Sequence, residues 1–428
     1  MKLNYRRTFF IGLAFLAISS FWQMYDNVIP SILKETFNLS DKIIGMIMAI
    51  DNVLAVFLLP IIGTLSDKVD TPLGKRTPFI IGGTAVAVTI MLLLPTADNT
   101  KNLVLFVVAL GVTLIAMASY RSPSVALMPD LTPKPLRSKA NAIINLMGAI
   151  GGVYTLGLIS IFIGKEEKPN YFPVFIGVAG IMVVSVILLV ITTNEKKIAK
   201  QVALEYPEEE EQEVKSVSNA NVNEKMDPAV KRSLILILMS VFFWFTAYNA
   251  VTTAFSRYAK VVWKVQGGGY ANCLMTATVA AIISYIPIGI IASKIGRKKT
   301  ILMGIVLMCT CFVMACFMKE YHPIINVGFC MIGIGWAAIG VNSFPMVVEM
   351  SKSGDVGKFT GLYYTFSMSA QIITPILSGF LLDWKYETLF PYAVFFSVMA
   401  FITMSMVKHG DNKPVAKKSL IENFDVDD

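Results

Sequence analysis

The chain has 428 residues, of which 55% are hydrophobic and only 15% charged, with a mean hydropathy of +0.63. A soluble protein of this size carries nearer a quarter charged residues, so the composition excludes a soluble globular class and points to a polytopic membrane protein. The net charge of +8 is explained by basic loops on one side of a membrane and their contact with anionic lipid, not by nucleic-acid binding.

Apolar runs of about 20 residues, enough helix to cross a hydrocarbon core of roughly 30 Å, recur along the chain. They fall near 8–30, 43–65, 78–95, 103–127, 140–163 and 172–192, then near 233–258, 269–293, 299–318, 324–350, 357–382 and 389–407. The expectation is an all-α membrane protein of about twelve transmembrane helices in two six-helix bundles. A cleaved signal peptide competes for the first run, because Lys2, Arg6 and Arg7 precede it. That run is too long and lacks a small-x-small site, so it is read as a span.

The first span holds FWQMYDNVIP, which places Asp26 beside Trp22, Gln23, Tyr25 and Asn27. A carboxylate in hydrocarbon costs a few kcal/mol on insertion scales, so such residues face a protein interior or a wet cavity. The second span carries Asp51, flanked by apolar turns, and neither acid has a cation within four positions on its own helix. Counting about 1.5 Å per residue from the expected outer ends of the spans puts Asp26 roughly 6 Å deep and Asp51 roughly 12 Å deep. The two are candidates for reversible protonation and hence for proton coupling. In the loop that follows, Gly63 allows close helix approach, Asp67 is suited to a neighbouring helix N-terminus, and Lys75 and Arg76 can reach carboxylates or headgroups. With Gly74, these residues are expected to latch the cytoplasmic ends together.

Arg121 in the fourth span is the expected counter-charge or a ligand of sugar hydroxyls, and Asn141 and Asn145 share a face of the fifth. Residues 193–232 form an acidic, polar connector, including Glu208 to Glu211, expected to be solvated and cytoplasmic. The domains are then 1–192, the linker 193–232, 233–410, and a tail over 411–428. In the second half the polar candidates are Tyr248 and Asn249 with Trp244 in the seventh span, Asn342 with Trp336 in the tenth, and Gln371 in the eleventh, followed by Pro375. Aromatic faces with amides suit a sugar, which offers C–H patches for stacking and hydroxyls that donate and accept. The cysteines are odd in number, and their spacing fits no zinc pattern. GGG at 267–269 lacks the Lys of a phosphate loop, and no nucleophile with a base is visible. No enzyme activity, metal or cofactor is expected.

Lys and Arg cluster in the loops that share a side with both termini, so both termini are expected in the cytoplasm of a multi-pass cell-membrane protein. Arg257, Lys260 and Lys264 make one outer loop an exception. The halves also repeat. The stretch GTLSDKVDTPLGKR from Gly63 matches GIIASKIGRK from Gly289, and Asp130 matches Glu349, each pair in the same order and topology. Such parallel repeats relate to one another about an axis along the membrane normal. Ser293 stands where the second copy would need an acid, which speaks against a symmetric role for the two loops.

With its paired glycine–acid–basic loop signatures and central connector, the chain resembles the major facilitator superfamily. The stretches SDKVDTPLGKRTPFIIGG and ALMPDLTPKPLRSKANA resemble the sucrose-carrier-like branch of the glycoside-pentoside-hexuronide/cation symporters. The resemblance implies the major facilitator fold and sugar transport. It also implies a functional arginine on the fourth span, which aligns at Val125, one turn from Arg121. Sodium-using relatives place paired aspartates just before a P-x-x-G in the second span; here Leu59 precedes Pro60, which favours a proton. The reading is proton symport of a sugar or glycoside by a monomer working by alternating access, with proton-driven efflux of amphiphiles or a non-transporting sugar sensor as alternatives. Asp130 and Glu349 are expected to belong to inner-surface structural clusters with Arg137 and Lys358.

Overall fold

The structure is a computed structural model that describes residues 3–133, 136–164, 169–205, 227–350 and 356–411. Among the described residues, twelve helices are long and apolar enough to cross a membrane. In the first half they are Tyr5–Glu35, Asp41–Asp67, Thr77–Asn99, Leu103–Asp130, Lys139–Phe162 and Phe172–Thr192. In the second half they are Pro228–Val261, Ala271–Ile295, Arg297–Phe317, Ile325–Val348, Lys358–Trp384 and Tyr386–Met406. They are called here the first to twelfth spans. The chain is an all-α, multi-pass integral membrane protein, and Ile43, Ile50, Phe57 and Ile61 of the second span lie bare along its surface, as lipid-facing side chains do.

Polar side chains set the helix starts. Asn4, Asn102 and Asp227 accept backbone N–H bonds from Arg7 (3.1 Å), Leu105 (3.0 Å) and Ala229 (2.9 Å), satisfying amides that a first turn leaves open. The first span runs five residues beyond the expected end. Pro30 forfeits only the bond to the Asp26 carbonyl, and the helix continues until Thr36 N–H closes on the Ile32 carbonyl at 3.0 Å. Pro375 is carried within the eleventh span in the same way. The connector's acidic core lies in 206–226, outside the described residues, as does the tail beyond residue 411. Its start forms a helix, Glu195–Glu205, and its end is already the first turn of the seventh span.

Two compact units divide the chain, one over Met1–Tyr206 with Lys264–Met275 and the other over Pro207–Trp263 with Thr276–Asp428. In the first unit, the first and fifth spans approach to backbone contact. A methyl group on Gly151 would run into the Leu16 carbonyl, while Ser20 Oγ donates to the Leu16 and Gly151 carbonyls (2.8 and 3.1 Å). Small residues with shared hydroxyl bonds are how apolar helices associate where the hydrophobic effect gives no drive between them. Tyr120 OH ties the fourth span to the first through the Ala14 carbonyl at 2.8 Å. The second unit repeats the device between its ninth and tenth spans, where a Cβ on Gly304 would meet the Gly335 carbonyl at 2.6 Å. Ser240 and Thr403 hydroxyls join the seventh and twelfth spans at 2.7 Å.

Candidate functional site

The extra turns of the first span change the depth of its acid. Asp26 stands nine residues from the helix end at Glu35, and Asp51 ten from the helix start at Asp41. At about 1.5 Å per residue the two lie about 14 and 15 Å along their helices, at one level, rather than at the unequal depths expected. Both are partly buried, and Asp51 acts electrostatically on Asp26. Arg121, from the fourth span, acts on Asp51 in turn and holds its guanidinium carbon 5.8 Å from the centre of the Trp22 ring, within cation–π range. Asn52 donates its amide N–H to Asp51 Oδ1 at 2.9 Å, a local partner that the sequence reading did not single out.

Trp22 and Tyr25 meet edge to face at 5.4 Å. The Trp22 indole N–H and the Tyr25 hydroxyl are buried without a hydrogen-bond partner among the described residues. An orphaned donor in low dielectric is expensive, and such groups gather where a ligand or proton is handled. Gln23 faces the fifth span, its Oε1 3.6 Å from where a Cβ on Gly152 would stand, and its carbonyl accepts from Asn27 Nδ2 at 2.9 Å. Asn141 and Asn145, on the fifth span, are partly buried and engaged in polar contacts. The first unit therefore brings Trp22, Tyr25, Asp26, Asp51 and Arg121 into one ensemble.

In the second unit Tyr248 stacks face to face on Trp336, with centroids 3.9 Å apart and planes 9° from parallel. Phe245 abuts the edge of the same indole at 5.3 Å. Asn249 Nδ2 and Asn342 Oδ1 are buried without hydrogen-bond partners among the described residues, although Asn342 Nδ2 donates to the Ala338 carbonyl at 2.9 Å. Gln371 lies partly buried in the eleventh span, four residues before Pro375, so its own carbonyl lacks the usual helical donor. Trp336 is the element that periodicity understated, because a lone Trp in a span reads equally as an interfacial anchor.

The loop between the second and third spans is ordered by Arg76, only 5% exposed. Its guanidinium donates to Asp67, to Ser66 Oγ, to Asp130 Oδ2 (2.9 Å) and to the Gly63 carbonyl (3.4 Å), and Lys75 Nζ stands 3.6 Å from the same Asp130 oxygen. The expected latch residues thus meet, but with two corrections. Asp67 engages a guanidinium, while the carboxylate that sits on a helix N-terminus is Glu195. Among the described residues Asp130 pairs with Arg76 and Glu349 with Arg297 (2.6 Å), rather than directly with Arg137 and Lys358. Arg137 instead donates to the Thr132 and Pro129 carbonyls (3.2 and 3.0 Å), where the end of the fourth span leaves acceptors open. No group of three or more His, Cys, Asp or Glu that could hold a metal ion occurs among the described residues.

Solved structures with the same fold include the nucleoside transporter NupG, with a TM-score of 0.69 at 14% identity over 94% of this chain and 100% of that one. A bacterial homologue of the human drug peptide transporters PepT1 and PepT2 matches with a TM-score of 0.66, 14% identity and coverage of 94% and 99%. A bacterial homologue of the iron transporter ferroportin, in an inward-facing state, gives 0.66 at 13% identity over 94% and 99%. The chloramphenicol resistance protein CraA of Acinetobacter baumannii is 25% identical over 97 residues, which is 23% of this chain and 23% of that protein. The chain therefore matches under a quarter of that curated relative's length. The family described as MFS/sugar transport protein matches residues 10–383, nearly everything from the first span through the eleventh, and the chain belongs to it as a secondary transporter of the major facilitator type.

Proposed function

We propose that this transporter carries a sugar or glycoside into the cell by proton symport, working as a monomer in the cell membrane with both termini in the cytoplasm. The observation that supports the reading best is the ensemble of Asp26, Asp51 and Arg121 beside Trp22. Two carboxyls at one level and a single guanidinium cannot all be balanced when both acids are ionised, so one proton is the natural complement to the set. Binding that proton neutralises the ensemble and permits it to leave water, and releasing it restores the charge that holds the next cycle back. Sodium fits less well, because a hard cation requires several oxygens and Asn52 presents an N–H to Asp51.

The polar and aromatic groups favour a sugar over an apolar solute. Trp22, Tyr25, Tyr248 and Trp336 supply faces for C–H stacking, and Gln23, Asn141, Asn145, Asn249, Asn342 and Gln371 supply amides for hydroxyls. The family description points the same way. Gly63, Asp67, Gly74, Lys75 and Arg76 latch the basic, cytoplasmic end during alternating access. A second reading, proton-coupled efflux of amphiphilic compounds, has the partial likeness to CraA in its favour. Uptake of a panel of labelled sugars into proteoliposomes, with and without an inward pH gradient, separates the two. Accumulation of one sugar driven by the gradient supports symport; no sugar uptake together with gradient-driven chloramphenicol export supports efflux and overturns it.

A further inference from the structure

At the basic end of each unit the chain's exit turns back onto that unit's own third helix. In the first unit Glu195 follows the sixth span and is 2% exposed. Its carboxylate accepts the backbone N–H groups of Lys75 (2.8 Å), Arg76 (2.9 and 3.1 Å) and Thr77 (2.8 Å), and the Thr77 hydroxyl at 2.7 Å. These are the open amides at the start of the third span, where the helix dipole favours a negative charge. Gly74, with φ of +110°, makes the turn beneath it, and a methyl group there would collide with the Glu195 carboxylate.

The second unit does the same with other residues. Asp411 follows the twelfth span, and its Oδ1 accepts the Lys298 N–H at 2.9 Å at the start of the ninth. Gly296, with φ of +95°, makes the turn, and a Cβ there would stand 2.9 Å from Asp411 Oδ1. Lys298 Nζ returns the contact by donating to the Ser405 and Val407 carbonyls (2.8 and 2.6 Å) at the end of the twelfth span. The pairs Gly74/Gly296, Arg76/Arg297, Asp130/Glu349 and Glu195/Asp411 are separated by 222, 221, 219 and 216 residues, so the whole constellation repeats although Ser293 breaks the motif where the sequences are compared.

We propose that Glu195 and Asp411 are positioning residues of the latch, each fixing the backbone from which Arg76 or Arg297 aims its guanidinium at the acid ending the fourth or tenth span. Glu195 binds the amide of Arg76 itself, so the carboxylate and the guanidinium are held from one residue. The inference rests on the latch reading above and adds to it the exit segments as its second half. Among the described residues the two clasps are unequal: the first has a buried carboxylate with four donors, whereas Asp411 is exposed with one backbone donor.

The test combines thermal melting of purified protein with thiol labelling of single cysteines placed on either face, for Glu195→Gln, Arg76→Gln, the double variant, and the matching Asp411→Asn and Arg297→Gln set. The expected result is that Glu195→Gln and Arg76→Gln lower the melting temperature by non-additive amounts. Each also shifts the ratio of labelling between the faces about threefold or more in one direction, the scale of a lost bond to a charged group. Asp411→Asn shifts it less. Should Glu195→Gln not yield folded protein, Thr77→Val removes one donor and gives the same direction at smaller size. Additive melting effects overturn the inference. A labelling ratio moved by Arg76→Gln but not by Glu195→Gln or Thr77→Val overturns it while leaving the latch standing; a ratio that Arg76→Gln leaves unchanged removes the latch and the positioning role together.

Discussion

Asp26 and Asp51 differ in their partners, and the difference predicts different phenotypes. Asp51 has Asn52 and Arg121 to answer it, whereas Asp26 lies in a partly buried position with Asp51 as a charged neighbour. Asp26→Asn removes a proton site and relieves the like charge, so gradient-driven accumulation should fall at least about tenfold while exchange of sugar across the membrane persists. Asp51→Asn removes the carboxyl on which Arg121 acts, and exchange itself should drop, because the partly buried guanidinium then meets a changed charge balance that favours one state of the site. Arg121→Lys keeps the charge but loses the planar group over Trp22, so it should fall between the wild type and Arg121→Gln. Trp336→Ala removes the face on which Tyr248 stacks. Aromatic pairs of this kind are worth about 0.5–1.5 kcal/mol, so the half-saturating sugar concentration should rise roughly two- to twelvefold, and Trp336→Phe should recover most of it.

Contacts between helices place these side chains, and they can be tested without transport. Gly151→Val forces the first and fifth spans apart at the Leu16 carbonyl, so little monodisperse protein should survive detergent extraction and size-exclusion chromatography. Gly157→Ala on the same helix, with nothing within 4 Å of its added Cβ, should behave as wild type; equal behaviour of the two variants would contradict the close crossing. The exposed pair Lys196–Asp70, 2.7 Å apart, behaves differently. The hydrogen bond from Lys196 and its charge hold the exposed Asp70 carboxyl below its ordinary range. A lowered folded-state value means the pair contributes fully above the ordinary carboxyl range and fades only as pH falls through the lowered value. Melting temperature compared between wild type and Asp70→Asn should therefore show a constant difference from pH 6 to pH 8, and a difference that changes across that window would contradict the assignment.

Over the whole molecule, the spans were legible because twenty-residue apolar runs have one stable solution in hydrocarbon. The acids were legible because burial of Asp26 and Asp51 demands a reason. The sequence hid what depends on long-range return of the chain: Glu195 reads as one acid among Lys196 and Lys197, and its partners lie about 120 residues earlier. It also misplaced the depth of Asp26, because the apolar run stops near residue 30 whereas the helix continues to Glu35, with only one backbone bond lost at Pro30. The central claim is that a proton travels with the sugar through the Asp26–Asp51–Arg121 ensemble. Its most direct test is the external pH recorded with a dye when a sugar from the uptake panel is added to lightly buffered proteoliposomes. The account predicts alkalinisation in step with sugar entry for wild type and none for Asp26→Asn. Sugar entry in the wild type with no change in external pH would contradict it.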